Sequence, residues 1–99
     1  MIKSYEVTVG TTAVQLVSPD VEEALLWSET LTEALLDVGT LVQVTLGAAD
    51  VVAGTGWAVD DYTTATSPLV VRPRRSDDVL YGRTAEGTAK VRVLAFGGV

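Results

Sequence analysis

The side chains in this sequence that could do chemistry are few, and they are carboxylates and arginines. The 99 residues include no His and no Cys. A Ser or Thr nucleophile therefore has no imidazole to take its proton, and a zinc site lacks its usual ligands. Disulfides are excluded too, and cysteine usage says nothing about redox compartment. Two carboxylate pairs stand out, Asp60-Asp61 and Asp77-Asp78. Neighbours along an extended segment point apart, whereas paired acid/base work needs two carboxylates across one gap. A calcium loop would need a DxDxDG-type spacing, which is missing, so these acids read as solvated turn residues. Gly54-Thr55-Gly56 lacks the later Gly and Lys of a phosphate cradle and reads as a turn. Arg72, Arg74 and Arg75 cluster around Pro73 as the one concentrated positive patch. They suit an acidic protein surface, or they simply protect a sheet edge from unwanted pairing. As a DNA site the patch is small and has no aromatic partners. The expectation is a protein with no catalytic residues, no metal and no cofactor.

Composition points the same way. The formal net charge is −6, which argues against general nucleic-acid binding because phosphate neutralisation needs a basic surface. Residues 1–71 hold one base and ten acids, while residues 72–99 hold six bases and three acids. This polarity becomes a charge dipole if the C-terminal strands share one side of the fold, and a dipolar particle can dock on its own copies or on a surface of opposite sign. A random distribution of surface charge is the simpler alternative. The apolar fraction of 47% is too high for a disordered chain. The segment MIKSYEVTVG has no long apolar run of a leader, and no run approaches the roughly 20 residues that cross a bilayer. A soluble protein made in a cytoplasm is expected, forming a single domain over residues 1–99.

The elements that must position these groups are mostly strands. In residues 4–9, Tyr5, Val7 and Val9 alternate with Ser4, Glu6 and Thr8, the signature of a half-buried strand. Gly10-Thr11 reads as a turn into a hairpin partner at 13–17, although the first strand could equally be an arm that pairs with another subunit. Ser18-Pro19-Asp20 is a helix-start signal. Val21, Leu25, Leu31, Leu35 and Val38 follow roughly helical spacing, and Gly39 is a fitting stop. The reading is therefore a helical insertion over about residues 19–38, as one helix, two short ones, or a strand to Trp27 followed by a helix. Val42, Val44 and Leu46 open a central strand that Gly47 ends; after the turn at Gly54-Gly56, Trp57 and Val59 begin another run. A polar loop follows at 60–67, then strands at 69–72, 79–83 and 88–96. Pro73 ends the first of these or places it at a sheet edge. The last strand is the clearest, with Ala89, Val91, Val93 and Ala95 alternating with Lys90, Arg92, Leu94 and Phe96; the two large apolar groups at its end predict cover on its second face near Phe96. These features predict a mainly β fold, a small antiparallel β-sandwich or barrel of about seven short strands with one helical insertion.

A series of motifs runs through the second half: Thr45-Leu46-Gly47, Asp50-Val51, Thr55-Gly56-Trp57, the apolar strand from Pro68 to Val71, Asp78-Val79-Leu80-Tyr81-Gly82, and Lys90-Val91-Arg92-Val93-Leu94. It resembles small structural proteins encoded in the head and tail modules of tailed phages, especially phages of actinobacteria, over residues 41–96. The acidic segment 18–39 departs from that pattern. The resemblance implies a virion structural protein of the capsid decoration (cement) or head-fibre type, carried on the outer capsid surface. Such a protein binds the major capsid protein where capsomers meet, associates with its own copies as a homotrimer, and strengthens the shell against internal DNA pressure. No nucleic acid, membrane or small-molecule substrate is implied as a partner. Candidate contact residues are Arg72, Arg74 and Arg75, for acidic shell surfaces, and Ile2, Tyr5 and Val7 in a first segment able to add a strand to another protein's sheet. Two other readings stay open. One is a tail-fibre or tail-tip module binding host surface polymer through Trp57, Tyr62 and the Thr-rich loop; the other is a non-viral interaction domain.

Overall fold

The structure is a computed structural model that describes residues 2–17, 31–54, 57–60, 64–65, 67–72 and 79–97. Alternating apolar residues and turn signals build eight strands: β1 (Ile2–Val9), β2 (Val14–Val17), β3 (Leu31–Val38), β4 (Val44–Gly47), β5 (Ala58–Val59), β6 (Leu69–Val71), β7 (Leu80–Arg83) and β8 (Ala89–Gly97). They form two four-stranded sheets, one in the order β1-β8-β3-β6 and the other in the order β2-β7-β4-β5, with every pairing antiparallel. β1 thus pairs with β8, β2 with β7, β3 with β6 and β4 with β5. This is one long hairpin rolled up on itself, the strand order of a jelly roll. The expected antiparallel β-sandwich is the observed architecture.

Two local expectations are overturned. The first is the hairpin between the first two strands. β1 pairs over its whole length with β8, from Ile2↔Phe96 to Val9↔Ala89, whereas β2 lies in the other sheet beside β7. A four-residue β2 would leave half the backbone groups of an eight-residue β1 without partners, while β8 matches its length and its alternation. The chain therefore crosses between sheets after Gly10, whose carbonyl accepts a 2.9 Å bond from the Thr84 amide.

The second correction concerns the helical insertion over 19–38. Residues 31–38 are the strand β3, which pairs with β8 on one side and β6 on the other; residues 18–30 lie outside the described residues. Leu35 and Leu36 are adjacent, so the segment satisfies a helical spacing through Leu31, Leu35 and Val38 and a strand spacing through Ala34, Leu36 and Val38. Pairing on both sides decides the matter, because a central position offers a ladder of bonds and a buried face that a helix would forfeit. Ala34, Leu36 and Val38 are buried, and Gly39 caps the end of the strand by donating to the Lys90 carbonyl at 2.8 Å.

The core lies between the sheets. From the first sheet come Val9, Leu36, Val91 and Val93, and from the second Leu16, Val17, Val44 and Leu46. All four inward residues of β8, Ala89, Val91, Val93 and Ala95, are buried, as their alternation predicts. Gly82 in β7 has a packing role. A Cβ there would lie 2.8 Å from Leu16 Cδ1 and 2.9 Å from Val44 Cγ1, so the flanking side chains close over the place where a side chain would stand. Val44 is stiff about χ1 and Leu16 is enclosed, so neither yields easily. Gly82→Ala is expected to cost about 1–3 kcal/mol in urea unfolding, the usual penalty of overpacking; an unchanged midpoint would mean that the two sheets adjust freely at this point.

Candidate protein-contact site

Strand register sets the site, because it decides which side chains line up on the outer face of the first sheet. The inward positions of β1, β8, β3 and β6 go to the core, so the intervening residues form rows across the outside. One row reads Ser4, Leu94, Leu35, Val70, an apolar line across three strands. On one side of it lie Ile2, Phe96 and Glu33; on the other lie Glu6, Arg92 and Asp37. Leu94 is 36% exposed, Val70 44% and Ile2 66%, while Leu35 and Phe96 are half-buried. The cover expected near Phe96 is therefore partial. A shallow depression of roughly 510 Å³ crosses this face, with Leu35, Leu94, Asp37, Arg92 and Pro68 among its lining.

Charge on this face alternates in sign. Arg72 Nε lies 3.4 Å from Glu33 Oε2, Lys90 Nζ lies 4.0 Å from Glu6 Oε1, and Arg92 pairs with Asp37. Exposed pairs of this kind add little to stability, yet they hold the side chains in a fixed pattern. The condition for a charge dipole is not met. β6 and β8 belong to the first sheet and β7 to the second, and each of these three bases sits beside an acid from the first half of the chain. The result is a locally balanced surface.

Asp37 is further fixed by Thr64, which is buried in the connection between β5 and β6. The Val38 amide donates to Thr64 Oγ1 at 3.0 Å, and the single hydroxyl proton goes to Asp37 Oδ1 at 3.1 Å or to the Asp60 carbonyl at 3.0 Å. Nothing in the Thr-rich sequence marks Thr64 apart from its neighbours; only the proximity of the β3 end to this loop reveals its role.

The candidate contact residues are spread around this sheet. Ile2 is exposed at the start of β1, and Arg72 is exposed just past the end of β6. Tyr5 and Val7 turn inward and pack against the core. Tyr5 reaches across to the other sheet, donating its hydroxyl to the Leu16 carbonyl at 2.6 Å, and burial pushes its phenol up from 10.0 to about 12. Arg74, Arg75 and Tyr62 lie outside the described residues. β1 and β6 form the two edges of the sheet. The eight residues of β1 make the longer edge, with a row of backbone groups on the side away from β8.

At other points the surface is apolar without such order. Trp57 is 76% exposed beside a wholly apolar pocket of roughly 200 Å³ lined by Leu46, Leu69, Val71 and Leu80. Among the described residues no group of three or more His, Cys, Asp or Glu could hold a metal ion, and no helix is long and apolar enough to cross a membrane.

Two predictions follow from these contacts. Thr64→Val leaves the buried Val38 amide without its acceptor, at an expected cost of about 1–3 kcal/mol in chemical unfolding; a cost near zero would show the clamp to be dispensable. Tyr5→Phe removes one hydrogen bond, at about 0.5–1.5 kcal/mol near neutral pH. The Tyr5 phenol is protonated in folded and unfolded chains below pH 10, so its contribution is complete there. Above 10 the unfolded chain loses the proton first, and the contribution disappears as pH rises through about 12. Stability should accordingly fall more steeply between those values in the parent than in Tyr5→Phe, and parallel curves would disprove the burial effect.

Comparison with protein families, with curated proteins and with solved structures found no match.

Proposed function

We propose that this chain is a virion structural protein, a capsid decoration (cement) protein that binds the outside of an assembled phage shell and stabilises it. The observation that carries the reading is the long edge of β1, eight residues of extended backbone bonded on one side to β8 and, among the described residues, to no strand on the other. An open edge of this length is an aggregation hazard unless something uses it, and adding a strand of a partner is the direct way to satisfy it. The motif series in residues 41–96 supplies the partner class, an outer shell protein at capsomer junctions. The rolled eight-strand architecture agrees with this reading, since viral capsid domains use it, although lectin domains do as well. Ile2, at the start of β1, adds an exposed apolar group to this contact, whereas Arg72 stands past the end of β6 at the opposite edge of the sheet.

Stabilisation would arise by linkage. A protein that binds the expanded shell and not its precursor shifts the balance toward the expanded state, and many weak contacts over a repeating surface act together. A second reading rests on Trp57: an exposed aromatic beside an apolar pocket suits stacking against a sugar ring, as in a tail-fibre module binding host polymer.

The test is co-sedimentation with expanded phage shells, coupled to amide hydrogen exchange. Binding is expected to protect the alternate amides of β1 that exchange quickly in the free protein. Retention on host surface polymer with no shell binding would replace this reading with the second, and shell binding that leaves the β1 amides unprotected would move the contact elsewhere.

A further inference from the structure

The outer face of the first sheet holds a relationship that neither edge shares. Arg92 and Leu94 are consecutive outward residues of β8, and Asp37 and Leu35 stand directly beside them on β3. Two adjacent rows crossing these two central strands thus pair opposite charges, Arg92 with Asp37, and like with like, Leu94 with Leu35. We infer that this face binds the same face of a second copy of the chain about a two-fold axis that runs along the strands, between β8 and β3.

The argument is one of register. Rotation about that axis sets β8 of one copy over β3 of the other. Leu94 then meets the partner subunit's Leu35, and Arg92 meets the partner subunit's Asp37, each contact occurring twice, as symmetry requires. Two Arg-Asp dipoles stack head to tail, so each guanidinium lies between two carboxylates. The remaining positions are neutral to the argument: Ser4 falls opposite the position of Val70, Glu6 opposite Pro68, Phe96 opposite Glu33 and Lys90 opposite Gly39. No like charges meet among the described residues. A two-fold along β8 itself would instead set Arg92 on Arg92 and Glu6 on Asp37, which electrostatics disfavours. The charge pattern therefore favours an axis between β8 and β3 over one along β8.

Three strands of eight or nine residues about 4.8 Å apart, with the three-residue β6 at the side, cover roughly 400 Å² per copy, short of the roughly 1,000 Å² in total that a stable interface buries. The dimer is expected to be weak, in rapid exchange and dependent on concentration. A closed three-fold needs two different faces on each chain, whereas this face is complementary to itself. The outer edge of β1 stays open in both copies. The inference rests on reading this surface as a protein-contact site and not on the shell, so its test uses the purified chain alone.

Sedimentation equilibrium of the purified protein over rising concentration should show a monomer-dimer balance. Leu94→Lys and Leu35→Glu should each abolish the dimer, because each sets a charge against a leucine twice over. Mixed together they should dimerise again, since one contact becomes Lys against Glu and the other remains leucine on leucine. Both substitutions leave the Thr64 clamp untouched, and circular dichroism confirms that each variant is folded. If either variant fails to fold, the reversed pair, Leu94→Glu with Leu35→Lys, provides the same mixing experiment. A monomer at millimolar concentration, a trimer indifferent to Leu94→Lys, or folded variants that do not recover on mixing would each overturn the inference. Shell binding in the presence of any of these results would leave the proposed function standing.

Discussion

Everything in this fold depends on β8 being paired along both sides. It joins β1 in register from Val9 to Ile2 and β3 from Leu31 to Val38, so one strand holds together segments from opposite ends of the sequence. Its inward residues, Ala89, Val91, Val93 and Ala95, are small enough to let the second sheet approach closely. Its outward residues carry the central part of the exposed surface. Core and candidate site are two faces of one alternating pattern, and a shift of a single residue in the register would exchange them.

The charges follow from that arrangement. A sequence with an acidic first part and a basic last part could have formed a strongly polarised particle. Because the last strand runs between earlier ones, its two bases come to lie beside acids, Lys90 by Glu6 and Arg92 by Asp37, and Arg72 past the end of β6 lies by Glu33. On this face the neutralisation leaves charges of alternating sign rather than a field of one sign. Surfaces of this type recognise a partner by register, and salt weakens them less than it weakens a uniformly charged patch.

Legibility in the sequence varied with how many structures a segment could satisfy. β8 was plain, because small apolar residues at Ala89, Val91, Val93 and Ala95 alternate with Lys90 and Arg92 and then Leu94, which fits a strand with one buried face. β6 and β7 were legible through Pro73 and the turn at 85–87. β3 was not, since Leu35-Leu36 suits both periods and the deciding ladders come from residues far along the chain. The β1-β2 hairpin was inferred from proximity in sequence, and proximity is a poor guide in a rolled fold where every sheet neighbour but β4-β5 is distant. At the site, the outward side chains of β8 were visible as a row, but their matching with β3 depended on a strand that the sequence presents as a helix. Thr64 carried no local signal at all, whereas the inward turn of Tyr5 was written in its alternation with Ser4 and Glu6.

The place of β8 in the first sheet also governs the order in which the fold can be completed. Ile2 must wait for Phe96 before the ladder between them can close, so this sheet has no finished core until β8 has been made. Short-range pairing such as β4 with β5 can begin early, but it engages only Val44-Val59 and Thr45-Ala58. Pairings of such high contact order close slowly, and until they do β1 and β3 remain exposed as sticky, unmatched backbone. A nascent chain of this design is at its most vulnerable until β8 is in place, and that strand acts as the bolt that locks the earlier ones together.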